Sequence, residues 1–184
     1  MEITTTEFEG LIILRPTLFE DSRGYFYESY NFKVFNHHGI NQEFVQDNQS
    51  KSKQGVIRGL HYQLAPYAQT KLVRVLHGEI FDVAVDLRKG SPTFGKWYGI
   101  KLSDHNNIQL LIPRGFAHGF SVLSHEAVVM YKTDDFYRKE AERGIVYNDP
   151  MLEITWKTGN GIEIVSERDR QLPLFNNAEM NFIL

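Results

Sequence analysis

Apolar side chains recur with a period of two along much of this chain, and that repeat restricts the fold more than any other feature. In Ile80-Phe81-Asp82-Val83-Ala84-Val85-Asp86-Leu87, residues Phe81, Val83, Val85 and Leu87 fall on one face and Asp82, Ala84 and Asp86 on the other. Successive strand residues point to opposite faces, so the pattern predicts a half-buried strand. Residues 71–76 read as another strand, with His77-Gly78-Glu79 as a tight connection. Residues 58–63, if extended, set Arg58, Leu60 and Tyr62 opposite Gly59, His61 and Gln63. Further short strands are predicted at 10–14, 25–30, 44–48, 97–102, 109–112, 119–123, 127–133 and 162–165. Many short strands with Gly, Pro, Asn or Asp between them predict a sandwich or barrel. Their edges must close on themselves or pair with another chain. Helix signals are few: two turns at 32–38 ended by Gly39, and one turn at 139–143. Residues 103–107 read as a turn. Residues 176–184 carry little pattern, which predicts docking on a partner or fraying.

The 184 residues fit one domain, 1–184, with no internal repeat or polar linker. Hydrophobic residues at 42% and charged residues at 23% describe an ordinary soluble globular chain rather than a disordered one. The formal net charge of -3 argues against general binding to nucleic acid or anionic membrane. With no cysteine, disulfides, zinc–thiolate sites and thiol nucleophiles are excluded. The polar, acidic opening MEITTTEFEG does not resemble an export signal, and no window approaches the roughly 18 apolar residues of a membrane span. A cytoplasmic protein is expected.

Two histidines stand out by context. His61 lies in Arg58-Gly59-Leu60-His61-Tyr62-Gln63, and His118 lies in Pro113-Arg114-Gly115-Phe116-Ala117-His118-Gly119-Phe120. Glycine beside a polar side chain allows a ligand to approach the backbone closely. The other five, His37, His38, His77, His105 and His125, sit in polar or turn contexts and read as structural or surface residues. No HxH pair occurs, and the residue two beyond His61 is Gln63, so a His/Glu metal cage is not expected. No GxxxxGK or GxGxxG segment is present. The cations Arg58, Lys71 and Arg74 lie near His61 in sequence and Arg23 lies in Asp21-Ser22-Arg23-Gly24. They suit either a diphosphate grip or solvated loop charge.

Taken together, the segments 19–30, 44–48, 58–63, 71–74, 91–95 and 112–120 resemble, in order, the dTDP-4-dehydrorhamnose 3,5-epimerase family. The resemblance runs from about residue 10 to residue 175. It implies a mostly β, cupin-like jelly-roll barrel with a few short helices, a homodimer with an exchanged N-terminal segment, and no metal or other cofactor. The implied substrate is a nucleotide-linked 4-keto-6-deoxy sugar, inverted at C3 and C5. The ketone acidifies both positions, so the chemistry needs a base, a group that holds the enolate oxygen and an acid on the other face. By resemblance His61 is the base, Asp169 its carboxylate partner, Lys71 the enolate stabiliser and Tyr131 the proton donor. Arg23, Arg58 and His118 are implied nucleotide-sugar contacts, Phe26 and Glu28 a thymine grip lent across the dimer, Gln46 and Asn48 a polar pair, and Glu142 a further contact. Arg168 stands where many relatives carry Lys, and Tyr62 where Phe is frequent.

Inversion at C3 alone, or a 3,4-ketoisomerase reaction on the same kind of sugar, is the nearest alternative. A non-catalytic sugar-binding cupin is a further one, which the presence of His61, Lys71, Tyr131 and Asp169 together disfavours.

Overall fold

In the computed structural model, which describes residues 1–158 and 161–184, the chain begins with β1 (Glu2–Thr5), β2 (Ile12–Arg15), β3 (Phe19–Asp21), β4 (Gly24–Phe26) and α1 (Phe32–His37). Strands β5 (Gln46–Lys53), β6 (Val56–Gln63), β7 (Lys71–His77), β8 (Glu79–Asp86) and β9 (Trp97–Ser103) follow. Then come β10 (Gln109–Ile112), β11 (Phe116–Val122), β12 (Glu126–Thr133), β13 (Glu142–Gly144), β14 (Ile164–Val165) and α2 (Glu167–Arg170). The strands form two layers, one ordered β1-β2-β10-β7-β12-β5 and the other β13-β6-β11-β8-β9, with β14 added to β6. From β5 to β13 the chain repeatedly changes layer, as in a jelly roll, so most sequence neighbours face one another across the interior. The β7–β8 corner turns on Gly78, whose φ of +81° and missing Cβ are both needed. A Cβ there would stand 2.2 Å from the Glu126 carbonyl oxygen.

Four apolar clusters are found among the described residues, and three of them hold the layers. Val73, Val75, Ile80, Ala84, Phe116, Phe120 and Val129 meet between the sheets. On the outer side of the second sheet, Leu60, Tyr62, Phe81, Val83, Val85 and Leu87 are covered by Leu152, Phe175 and Phe182. On the outer side of the first, Leu14, Leu72 and Leu111 are covered by Phe35 of α1 and Ile40. Asn31 caps α1, accepting bonds from the backbone N–H groups of Lys33 and Val34.

The C-terminal cover changes two expectations. Strand β8 is not half-buried: Phe81 to Asp86 are buried on both faces, because the second layer has a roof as well as an interior. The tail does not fray. Phe182 packs on Tyr62, Asn181 exchanges bonds with the backbone of Ala65, and Lys89 and Leu184 join backbone to backbone.

Other differences are local. Strand β5 extends to Lys53, past the predicted end at 48, although QDNQSKSK has no apolar alternation. Its inward side chains line a polar space. The predicted strand at 25–30 stops at Phe26 and pairs only with β3. The predicted turn at 139–143 leads into β13, and the strand predicted at 162–165 shortens to β14. Residues 32–38 form the expected helix. No described helix is long and apolar enough to cross a membrane.

Strand β6 departs most instructively from simple alternation. It pairs with β11 as His118 opposite His61 and then Phe120 opposite Arg58, so β6 carries one extra residue there. That bulge moves Arg58 onto the face of His61, where strict alternation had put it on the opposite one. Gly59, with φ of +111°, takes up the turn, and a Cβ on it would lie 2.7 Å from Gly119 Cα.

Gly78→Ala is expected to destabilise the fold by about 2 kcal/mol or more, measured as a lower urea midpoint. An unchanged midpoint would mean that the corner relaxes freely.

Candidate active site

The interior between the sheets is partly polar. A cavity of about 680 Å³ opens there, and both layers line it. The first sheet contributes Gln46 and Asn48 from β5, Lys71 from β7 and Tyr131 from β12. The second contributes Arg58 and His61 from β6, His118 from β11 and Glu142 from β13. Helix α2 adds Arg168 and Asp169. Ten of the thirteen residues singled out in sequence thus converge on one space.

The central contact joins residues 108 apart: His61 Nε2 lies 2.9 Å from Asp169 Oδ1. Asp169 is held by its own surroundings. Gly59 N–H donates to Oδ2, and the Ser166 hydroxyl caps α2 at the Asp169 N–H. Burial of Asp169 works to raise its pKa. The hydrogen bond and charge of His61, with bonds from Gly59 and Ser166, outweigh it and hold the carboxyl below its ordinary range. An ionised carboxylate accepts the Nε2 hydrogen, which leaves Nδ1 as the basic nitrogen of the ring.

Lys71 lies near this pair and donates a long bond, 3.4 Å, to the His61 carbonyl. Burial pushes its ammonium down to about 8, against the opposing pull of Asp82 and Glu142. Its Nζ stands 5.9 Å from the centre of the Tyr131 ring. Burial also raises the Tyr131 hydroxyl above its ordinary value, while Arg58 lowers it and Glu142 raises it further. Tyr131 therefore keeps its proton near neutral pH. His118 is buried and bonds through Nε2 to Asp82 Oδ1 at 2.8 Å, a second histidine–carboxylate pair beside the first.

At the cavity wall, Glu142 accepts from Arg168 at 2.5 Å and from the Tyr137 hydroxyl at 2.8 Å. Burial works to raise the Glu142 pKa, and its bonds to Arg168 and Tyr137 bring it below the usual value. Arg58 Nε donates to the Ser52 hydroxyl, and Gln46 donates to Asn48. Gln63 fixes the wall from behind: its amide donates to the Tyr67 and Phe136 carbonyls, and its oxygen accepts from Arg138 N–H. Among the described residues, no three His, Asp or Glu side chains gather as a metal cage.

Three expected contacts lie elsewhere. Arg23, Phe26 and Glu28 belong to the β3–β4 hairpin and the segment after it, and none of them lines this cavity. Arg23 pairs with Asp21, and Glu28 accepts from Asn31. Phe26 is 66% exposed. Conversely, sequence reasoning passed over Tyr137 and Asp82. Tyr137 is an exposed aromatic on the cavity wall, a surface on which a flat ligand can stack. Asp82 carried a faint signal, an acid set between the apolar neighbours Phe81 and Val83 of β8.

The family model for dTDP-4-dehydrorhamnose 3,5-epimerase matches residues 5–177. The chain is 56% identical to the dTDP-4-dehydrorhamnose 3,5-epimerase of Shigella flexneri, over 97% of this chain and 98% of that one. The crystal structure of the enzyme of that name from Elizabethkingia anophelis NUHP1 is 52% identical and superposes with a TM-score of 0.90, over 96% of this chain and 97% of that one. A Legionella pneumophila structure described as dTDP-6-deoxy-D-glucose-3,5-epimerase in complex with dTDP-4-keto-L-rhamnose is 49% identical, with a TM-score of 0.91 over 96% of this chain and 93% of that one.

The depressed pKa of Asp169 makes a prediction about acid stability. Such a group stabilises the fold above its unfolded pKa and loses that contribution as pH falls through the folded value. Wild-type urea midpoints should therefore decline as pH is lowered below about 4, and Asp169→Asn should flatten that decline. Equal slopes for the two proteins would separate the carboxylate from acid unfolding.

Proposed function

The chain belongs to the dTDP-4-dehydrorhamnose 3,5-epimerase family, and on that premise we propose that it inverts C3 and C5 of dTDP-4-dehydro-6-deoxy-D-glucose to give dTDP-4-dehydro-L-rhamnose, the ketosugar that precedes dTDP-L-rhamnose. The observation that carries the mechanism is the shared cavity: a carboxylate-braced histidine, a partly buried lysine and a protonated tyrosine line one space from opposing sheets.

In this reading His61 removes the hydrogen beside the C4 ketone. Asp169 fixes the ring and compensates the positive charge that His61 acquires, as in hydrolase triads. The electron pair moves onto the ketone oxygen as an enolate. Lys71 faces that oxygen with an ammonium whose charge counts for more in a poorly solvated site. Tyr131 returns a proton to carbon from the other sugar face, and its raised pKa keeps it loaded until the enolate forms. His61 then gives its proton to solvent and Tyr131 takes one back, and the same sequence at the second carbon completes the double inversion.

Arg58 and Arg168 suit the diphosphate, with Gln46, Asn48, His118 and Glu142 as polar contacts along the sugar and nucleotide. Arg23, Phe26 and Glu28 fit the same reading if the β3–β4 hairpin serves a partner's cavity in a homodimer. Its exposed Phe19, Tyr25 and Phe26, away from its own cavity, support that arrangement. The whole chain, 1–184, acts in this reading as one domain in the cytoplasm, on a water-soluble charged substrate.

In heavy water, deuterium should enter both C3 and C5 of the sugar, read by NMR. Label confined to C3 would restrict the reaction to one centre, and no label would end the enolate mechanism. His61→Ala should slow turnover by about 10²-fold or more while the protein stays folded.

Lys71 supplies a pH signature. Its ammonium is charged below about 8 and is lost as pH rises through that value, so kcat should fall on the alkaline side. Lys71→Arg, slower but permanently charged, should lack this limb. A wild-type kcat that stays flat to pH 10 would remove Lys71 from the mechanism.

A further inference from the structure

We propose that Gln63 is a positioning residue for this site, a buried amide that fixes the backbone on both sides of Tyr137 and so sets where that ring stands on the cavity wall. The inference rests on the function proposed above and extends it to a residue that the mechanism does not use.

Residues 134–141 join β12 to β13 and belong to no strand or helix. Their peptide groups have no ladder to enter and must find partners elsewhere. Side chains from both sheets supply them. The peptide between Phe136 and Tyr137 is held at its two ends. Its carbonyl accepts from Gln63 Nε2 at 3.3 Å, and its N–H donates to Gln46 Oε1 at 3.2 Å. The next peptide, between Tyr137 and Arg138, donates its N–H to Gln63 Oε1 at 2.6 Å. One residue earlier, the Asp135 carbonyl accepts from Gln69 Nε2 at 2.7 Å.

A peptide group is planar, so only φ and ψ of Tyr137 separate the two planes that Gln63 grips. Holding both planes fixes the direction in which the ring leaves the backbone. The second Gln63 N–H donates to the Tyr67 carbonyl at 2.7 Å, so both donors and the oxygen of the amide are engaged. Gln63 is 5% exposed and Tyr137 is 51% exposed. The clamp is thus shielded from competing water while the ring is presented to a ligand. The far end of the ring is tied as well, through its hydroxyl to Glu142. A half-exposed aromatic held in this way loses little freedom when a ligand covers it, which favours binding.

Gln63 also lies two residues from His61 on β6, so it could act on the base instead. Its bonds point elsewhere. All three go to the connections 64–70 and 134–141, not to His61 or Asp169. Its influence therefore falls on the affinity for the ligand more than on proton transfer.

The test is a double-mutant cycle on the full chain: wild type, Gln63→Met, Tyr137→Ala and the pair together. Calorimetry with dTDP, the nucleotide part of the proposed substrate, reads binding, and kcat and KM are measured with the ketosugar. Gln63→Met keeps the length and removes the hydrogen bonds. It should weaken dTDP binding by about fivefold or more. Tyr137→Ala should weaken it at least as much, and adding Gln63→Met to Tyr137→Ala should cost less than about a further twofold. In Gln63→Met, KM should rise by a larger factor than kcat falls. If Gln63→Met does not fold, Gln63→Glu takes its place in the cycle with the same expectations. It keeps the acceptor for Arg138 and sets a carboxylate oxygen against the two carbonyls.

Wild-type affinity for dTDP in folded Gln63→Met overturns the inference and leaves the proposed function standing. An equal loss in the wild-type and Tyr137→Ala backgrounds overturns it too, since Gln63 would then support the fold without reference to the ring. So does a loss confined to kcat, which is the mark of a displaced His61. A Tyr137→Ala protein that binds dTDP as tightly as wild type leaves no contact to position and overturns it equally. A wild type that neither binds dTDP nor converts the ketosugar overturns the proposed function along with it.

Discussion

The backbone around Gly59 is the constraint from which the site follows. Its positive φ and the bulge on β6 bring Arg58 and His61 to one side of the strand, and its N–H donates to Asp169. The missing side chains of Gly59 and Gly119 let β6 and β11 lie close enough for His61 and His118 to sit as cross-strand partners. A regular strand with side chains at these positions would keep the same residues and scatter their directions. Catalytic groups must be held within fractions of an ångström, and rigid strands under a packed roof supply that precision better than loops.

Electrostatics explain how so polar an interior stays folded. The two carboxylates that line the cavity have partners, Asp169 in His61 and Glu142 in Arg168, and the buried Asp82 bonds His118. For Asp169 and Glu142 burial works against the charge, and the hydrogen-bonded partners outweigh it. Lys71 is the exception, since burial prevails and brings its pKa to about 8. The site thus holds an ammonium within reach of neutral pH next to a phenol kept protonated. Enolate chemistry at a ketosugar needs that combination.

The sequence was most legible where burial is one-sided or apolar. The strands at 71–76, 97–102, 109–112 and 127–133 were found within a residue or two of their bounds. It was least legible where a strand faces a polar cavity. Strand β5 has no apolar face because its inward residues Gln46 and Asn48 line the site and its outward ones meet solvent. The bulge in β6 was equally hidden, since nothing local distinguishes an extra residue from a regular one. Tyr137 gave no periodic signal because it lies in a connection rather than a strand.

The chain by itself determined the layers, through alternation and turn residues, and its ordered motifs determined the family. Both are local or collinear properties, readable without knowing which distant segments touch. Only the tertiary structure decided that Asp169 braces His61, that Asp82 bonds His118, and that Arg23, Phe26 and Glu28 lie outside their own chain's cavity. Those facts depend on contacts between residues tens of positions apart. They are set by how two sheets, a bulge and a C-terminal roof pack together, which no period in the sequence encodes.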